Sequence, residues 1–120
     1  MTFERVDKNG KAYVKVTDGE IATEQDGLTL IAACIERSTN LAMLPKDCLS
    51  QQFLQLSTRV AGVVVEKLED YGIRAVALLN IESASPRFRE FALESNHSTT
   101  FHVCETVDEA EQWLLEERTS

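Results

Sequence analysis

The first eighteen residues contain segments in which apolar and polar positions alternate, which is the period of a half-buried β-strand. Two alternating segments, FERVD and KAYVKV, flank Asn9-Gly10. Both central positions of a type I′ turn favour positive φ, and Asn and Gly tolerate that conformation. The pattern therefore predicts an N-terminal β-hairpin, and Asp18-Gly19 predicts the turn that ends it.

The period then changes to that of a helix. Apolar residues recur at i, i+3, i+4 and i+7, namely at Leu28, Ile31, Ala32 and Ile35. This spacing predicts an amphipathic helix over 24–38 with these side chains facing the core. Thr23 and Asp26 lie three residues apart at its start, which resembles a capping box.

Three short apolar segments follow. They are LAML at 41–44, RAVALLN at 74–80 and TTFHVC at 99–104. Short apolar runs bounded by turn signals predict buried strands. In the third segment, alternation places His102 and Cys104 on the sheet face opposite to Phe101.

Helical patterns fill the intervals. The first begins near residue 50 in two pieces and ends at Gly72, the second begins at Ser85-Pro86, and the third begins at Thr106. Ser and Thr are favoured N-caps, and Pro suits the first helical position. The predicted core-facing residues are Val60, Val64, Leu68 and Tyr71, then Phe88, Phe91 and Ala92, then Val107, Ala110, Trp113 and Leu114.

The order of these elements indicates the fold class. After the hairpin, helices and strands alternate, which favours parallel strands joined by right-handed crossovers. The sequence predicts one α/β domain over residues 1–120. Its single mixed sheet has about five strands, with the N-terminal hairpin followed by alternating helices and parallel strands.

Composition narrows the classes of partner. The chain has 120 residues, 43% of them hydrophobic, and a formal net charge of −8. Nucleic-acid binding needs a basic footprint, and here Lys and Arg are mostly interspersed with acids. No apolar run reaches the length of a membrane span, and the N-terminus lacks the apolar core of a signal peptide. We expect a cytoplasmic protein that binds neither nucleic acid nor membrane.

The cysteines and histidines give little sign of catalysis or metal binding. Three cysteines without a C-x-x-C pair argue against a disulfide framework and structural zinc. Cys34 and Cys104 fall in apolar segments, so Cys48 is the thiol expected to be exposed. His97 and His102 show no metal-ligand spacing. We therefore predict no catalytic residue, metal or cofactor.

The stretch FLQLSTRVAG places Ser57, Thr58 and Arg59 immediately before an apolar helical run. The simplest interpretation is an N-cap, because a hydroxyl oxygen there accepts a bond from a free backbone N–H. The alternative is a site of phosphorylation or partner contact. A helix N-terminus tolerates a phosphate, and Arg59 could pair with one.

The carboxyl ends of the predicted parallel strands mark a candidate ligand crevice. In open α/β sheets, ligands bind beyond these ends. The residues that follow the predicted parallel strands include Asp47, Cys48, Asn80 and Glu82. Their convergence around a closed pocket would favour a ligand site, whereas a shallow surface would favour protein contact.

Several motifs resemble the bacterial family known as domain of unknown function 4180. They are Phe53, Leu56, Thr58, Ala61, Gly62, Lys67, Tyr71, Glu94-Ser95-Asn96 and Glu109-Ala110. Arg59 stands where the family usually has Gly, and Leu79-Asn80 where a Gly-Asp pair is common. The family has no established activity, so the resemblance implies a fold without a function.

A remote resemblance connects the element order to STAS domains of the anti-sigma-factor-antagonist type. The closing pattern Phe-x-Val-x-x-Thr-x-Asp-Glu-Ala, at 101–110, is similar to theirs. In that type a Ser at a helix start is phosphorylated by a partner kinase, and the resemblance places Ser57 near that position. Leu56 and Arg59 replace the Asp and Gly of the STAS motif.

Two functions follow as hypotheses. The first is a non-catalytic, STAS-like regulatory or protein-interaction module that binds a protein partner or itself, with the small residues of 60–65 packing in the core or between subunits. The alternative is a small-molecule-binding protein or small enzyme that uses the strand-end crevice.

Overall fold

The computed structural model describes residues 1–116. Its strands are β1 (Thr2–Lys8), β2 (Lys11–Asp18), β3 (Leu41–Leu44), β4 (Arg74–Leu78) and β5 (Phe101–Cys104). Its helices are α1 (Glu24–Glu36), α2 (Gln51–Leu54), α3 (Val60–Asp70), α4 (Pro86–Ser95) and α5 (Val107–Leu115). Three single 3₁₀ turns lie at Lys46–Cys48, Leu56–Thr58 and Ile81–Ser83.

The strands form one sheet in the order β1-β2-β3-β4-β5. β1 is antiparallel to β2, and the remaining neighbours are parallel. At the hairpin, Asn9 and Gly10 have φ of 54° and 77°, as a type I′ turn requires. The predicted mixed sheet with an N-terminal hairpin is therefore confirmed.

The helices divide between the two faces of the sheet. Right-handed crossovers between successive parallel neighbours put the connecting helices on one face. Side chains of α1, α2, α3 and α4 accordingly share one large core with β2 to β5. A second core lies on the other face, under α5, and consists of Tyr13, Leu41, Met43, Val76, Ala110, Trp113 and Leu114. All four residues of β3 are buried, because this central strand is covered on both faces.

The inward face of α1 differs from the prediction. The buried residues are Gly27, Leu30, Ile31, Ala33 and Cys34. Ala32 is exposed, and Ile35 is 60% exposed. The reason is a close approach to α3: a Cβ on Gly27 would lie 3.1 Å from Val64 Cγ2. The spacing of apolar side chains does not identify a glycine as an inward-facing residue, although here Gly27 is the point of contact between the two helices.

The predicted inward orientation is also wrong for Tyr71 and Val107. Tyr71 is 56% exposed and Val107 is 44% exposed, because each lies at a helix end where the chain leaves the core. Of the small residues at 60–65, Ala61 and Val64 are fully buried in the large core, whereas Gly62 is exposed.

Candidate functional site

The hydroxyl turn, residues Ser57 to Arg59, connects α2 to α3 and is exposed throughout. Thr58 supplies its local hydrogen bonds. The Thr58 hydroxyl lies 2.8 Å from the carbonyl oxygen of Gln55 and also contacts that of Gln52, and its Oγ1 accepts from the Val60 N–H at 3.3 Å. Neither hydroxyl occupies the N-cap position as predicted, because that position is Arg59; Thr58 bonds to the first N–H of α3 from the residue before it, and Ser57 is exposed.

Arg59 occupies the N-cap of α3 in the left-handed conformation, with φ of 65° and ψ of 5°. A side chain in this region brings Cβ close to the following carbonyl oxygen, which glycine avoids. The turn therefore gives a physical reason for glycine at this position in the family that the sequence resembles. It also identifies Arg59 as a residue held at a cost in stability.

Replacing Arg59 with Gly is expected to raise the free energy of unfolding by about 0.5–1 kcal/mol, because relief of left-handed strain exceeds the entropy that glycine loses on folding. Urea denaturation measures the difference. Arg59→Ala is the matched control, since it removes the guanidinium and keeps Cβ. Equal stabilities for the two variants would contradict the assignment of strain.

The four predicted crevice residues do not line one pocket. Asp47 and Cys48 line a groove of 530 Å³ beside the end of β2, together with Asp18 and Glu20. Asn80 lies in the loop after β4, where its Oδ1 accepts from the N–H of Glu82 at 2.9 Å.

A second groove, of 590 Å³, lies between the carboxyl ends of β3 and β4. Its lining consists of Lys46, Gln51, Leu54, Gln55, Leu79, Ser83, Ala84 and Ser85. The strand ends thus carry two separate surface grooves, and neither brings the four predicted residues together.

The expectation that Cys48 is exposed is wrong. Cys48 is 3% exposed, and burial raises the pKa of its thiol to about 12. The 3₁₀ turn after Pro45 directs the Cys48 side chain into the core, and the Cys48 carbonyl accepts a hydrogen bond from the Ile21 N–H at 2.7 Å. Burial also raises the pKa of Cys34 to about 12 and that of Cys104 above its usual value. Each thiol is therefore further from a reactive thiolate than free cysteine.

A polar cluster on the α5 face was not foreseen from the sequence. Glu111 accepts from the Tyr13 hydroxyl and from the Lys8 ammonium, each at 2.6 Å. The bond from Lys8, followed by that from Tyr13, lowers the pKa of the Glu111 carboxyl. The cluster attaches α5 to the hairpin through charge-assisted hydrogen bonds. Its members lie about a hundred residues apart in the chain, so no short sequence motif predicts it.

His102 and Trp113 pack together on the same face. Their rings are stacked with centroids 4.6 Å apart, and the Arg74 guanidinium lies 4.4 Å from the Trp113 ring. Cys104 Sγ lies 3.9 Å from His102 Nδ1, but the raised pKa of Cys104 is opposite to what a nucleophile needs. Within residues 1–116, no group of three or more His, Cys, Asp or Glu side chains is arranged to hold a metal ion.

Asn96 ends α4 in the right-handed helical region, with φ of −66° and ψ of −11°. Its side chain forms hydrogen bonds with the backbone of β5. Oδ1 accepts from the Val103 N–H at 2.9 Å, and Nδ2 donates to the Val103 carbonyl at 3.4 Å. Asn96 thus occupies the backbone groups of Val103, to which an additional strand would otherwise bond.

Comparison with known proteins identifies a family but no activity. None of the helices in residues 1–116 combines the length and apolar composition that a bilayer crossing requires. No curated protein gives a significant match to the sequence. The model of the family described as domain of unknown function (DUF4180) matches residues 8–114, a span that contains the hydroxyl turn, both grooves' loops and Asn96. The resemblance to STAS domains has no such support and stays a prediction. The chain therefore belongs to the DUF4180 family.

Proposed function

We propose that this protein is a non-catalytic, STAS-like regulatory or protein-interaction module of the bacterial cytoplasm, and that the hydroxyl turn contacts its protein partner. The observation that carries this proposal is the exposure of Ser57, Thr58 and Arg59 at the start of α3. The thiols, by contrast, have raised pKa values. The polar residues of the strand ends divide between separate surfaces.

Ser57 is the residue of the turn best placed for modification. Because Thr58 makes the contacts to the start of α3, a change at Ser57 leaves those contacts intact. A phosphate on Ser57 would lie near the N-terminal end of α3, whose free amides and dipole favour negative charge. The neighbouring Arg59 guanidinium could pair with the phosphate.

The surface beside this position also leaves room for a partner. Gly62 is exposed in the first turn of α3, and a Cβ built on it would meet no atom within 4 Å apart from its chain neighbours and the nearby backbone of its own helix. A partner surface could therefore approach the helix backbone here, and a phosphate on Ser57 would change the charge that it meets. In this scheme phosphorylation controls association and the protein itself makes or breaks no bond.

The test is phosphorylation in an extract of the source bacterium. The protein is incubated with extract and ATP, and the peptide 53–62 is analysed by mass spectrometry. We expect phosphate on Ser57, and its loss in Ser57→Ala. Phosphate found elsewhere, or absent from this peptide, would contradict the switch.

A pull-down from the same extract tests the contact surface. Ser57→Glu is expected to change the amount of a bound protein at least severalfold relative to wild type, because it adds a charge at the turn. Thr99→Glu, an equal change of charge at an exposed position that lines neither groove, is the control. Identical recovery with both variants and wild type would remove the hydroxyl turn from the proposal.

The second candidate, a small-molecule-binding protein or small enzyme, is favoured by the groove between β3 and β4. Its 590 Å³ falls in the range of about 300–1,000 Å³ typical of ligand pockets. Leu54, Leu79 and Ala84 give it apolar surface, and Lys46 gives it a cation. Native mass spectrometry of protein purified from its host separates the two functions: a co-purified small molecule supports this one, and a bound protein supports the first.

A further inference from the structure

The two edge strands of the sheet, β1 and β5, differ in length and in the bonds made to their outer backbone groups. β5 has four residues, and Asn96 bonds to both backbone groups of Val103. β1 has seven residues and lies at the other end of the strand order. Within residues 1–116, no strand pairs with its outer side. The outward backbone groups of β1 are therefore available to another strand.

Charged residues usually protect such an edge from association. β1 contains four charged residues in the segment ERVDK, namely Glu4, Arg5, Asp7 and Lys8, and all four are exposed. Their order is acid, base, Val6, acid, base. Read in the opposite direction it becomes base, acid, Val6, base, acid, so the segment is complementary to its own antiparallel copy.

Symmetry restricts how two copies of β1 can pair. A two-fold axis perpendicular to the sheet places corresponding faces of the two sheets on the same side. Residues that lie opposite each other must therefore point to the same face, so their sequence numbers are both even or both odd. With Val6 on the axis, Glu4 lies opposite Lys8 of the partner subunit, and Arg5 lies opposite Asp7 of the partner subunit. Shifting the axis to Arg5 or to Asp7 instead brings two identical charges together. The register centred on Val6 is therefore the favoured one.

The two basic residues of this pattern, Arg5 and Lys8, are already held by hydrogen bonds within the subunit. On one face of the sheet, Arg5 Nη1 donates to the Arg37 carbonyl at 2.6 Å. On the other face, Lys8 Nζ donates to Glu111 at 2.6 Å. The cations therefore lose little further freedom when they meet a second acid, which favours association. Arg5 also lies 3.2 Å from Asp7 of its own strand, and this pair can exchange for two equivalent pairs between subunits.

We propose that this protein forms a symmetric dimer through β1, with Val6 at the two-fold axis and the two five-stranded sheets joined into one of ten strands. The second copy of the chain is the occupant because the charge order of ERVDK complements itself. This inference goes beyond the proposed function, since it uses a surface that includes no residue of the hydroxyl turn. Failure of either proposal leaves the other in place.

Sedimentation equilibrium over a concentration series tests the dimer. Asp7→Arg places a cation opposite Arg5 of the partner subunit on both sides of the axis. We expect the dissociation constant to rise about thirtyfold, because two opposite-charge pairs become like-charge pairs. Asp70→Arg makes the same charge change at an exposed position in α3 and should leave the constant unchanged. The double variant Arg5→Asp/Asp7→Arg reverses both charges and should restore association.

A wild-type chain that remains monomeric at several hundred micromolar would overturn the proposal. So would equal dissociation constants for Asp7→Arg and Asp70→Arg, or failure of the double variant to recover association while circular dichroism shows it folded. The recovery is decisive, because a general loss of stability would not be reversed by a second substitution in the same strand.

Cysteine cross-linking tests the register independently. Directly opposed Cα atoms in antiparallel strands lie about 4.5–5.5 Å apart, within the range that a disulfide spans. Val6→Cys should therefore form a covalent dimer under mild oxidation. Thr2→Cys lies on the same strand face but far from its own copy in this register, and it should not. Equal cross-linking of the two variants would overturn the register.

Discussion

Replacing Phe53 with Ala is expected to lower the free energy of unfolding by about 3–5 kcal/mol, because it leaves a large cavity in the core. Phe53 is fully buried, and its ring centroid lies 6.2 Å from those of Phe88 and Phe101. It also secures the four-residue helix α2, which is too short to be stable alone. The substitution should therefore also destabilise the hydroxyl turn, which follows α2.

Urea denaturation followed by circular dichroism measures this loss. Leu93→Ala is the control, since Leu93 is 56% exposed and its truncation should change stability by about 0.5 kcal/mol or less. Phe53→Leu should fall between the two. A cost for Phe53→Ala close to that of Leu93→Ala would contradict the position of Phe53 in the large core.

Replacing Glu111 with Ala is expected to cost about 2–3 kcal/mol at neutral pH. The change removes the acceptor of the Tyr13 hydroxyl, and Tyr13 is only 3% exposed. An unsatisfied buried hydroxyl keeps its desolvation penalty without the bond that offset it. The double variant Tyr13→Phe/Glu111→Ala removes both groups and should be less destabilised than the sum of the single changes.

The cost of Glu111→Ala should depend on pH. The bonds from Lys8 and Tyr13 hold the pKa of Glu111 below 4.5, its ordinary value. A lowered folded-state pKa contributes stability that is present above the unfolded-state pKa and is lost as pH falls through the folded-state value. The difference between wild type and variant should therefore be complete at pH 7 and decrease at acid pH. Glu69→Ala, at an exposed position, provides the baseline, and an unchanged difference in acid would contradict a charge-dependent role.

The features predicted correctly from the sequence depend on neighbours along the chain. The Asn9-Gly10 turn, the Thr23 cap and the Ser85-Pro86 helix start each follow from two to four adjacent residues. The strand LAML was recognisable because its four residues are all apolar and end at Pro45. Local sequence patterns were therefore sufficient for the helices and strands and for their order along the chain.

The features that were missed depend on contacts between distant segments or on turn geometry. Gly27 faces inward because α3 packs against it, and Glu111 is held by residues of the hairpin. Cys48 turns into the core through a 3₁₀ turn that the sequence after Pro45 did not announce. The candidate crevice divided for the same reason, since the direction of each loop after a strand depends on packing rather than on composition.

The bonds from Asn96 to Val103 have a consequence for stoichiometry. A sheet with two accessible ends can add copies indefinitely, as fibrils do, whereas a sheet closed at one end can be extended only from the other. Once that remaining end is occupied by an identical chain, as in the proposed dimer, the edge strands left within residues 1–116 are the two copies of β5. In the proposed dimer, the bonds from Asn96 to Val103 would therefore oppose further edge-to-edge growth at both β5 strands.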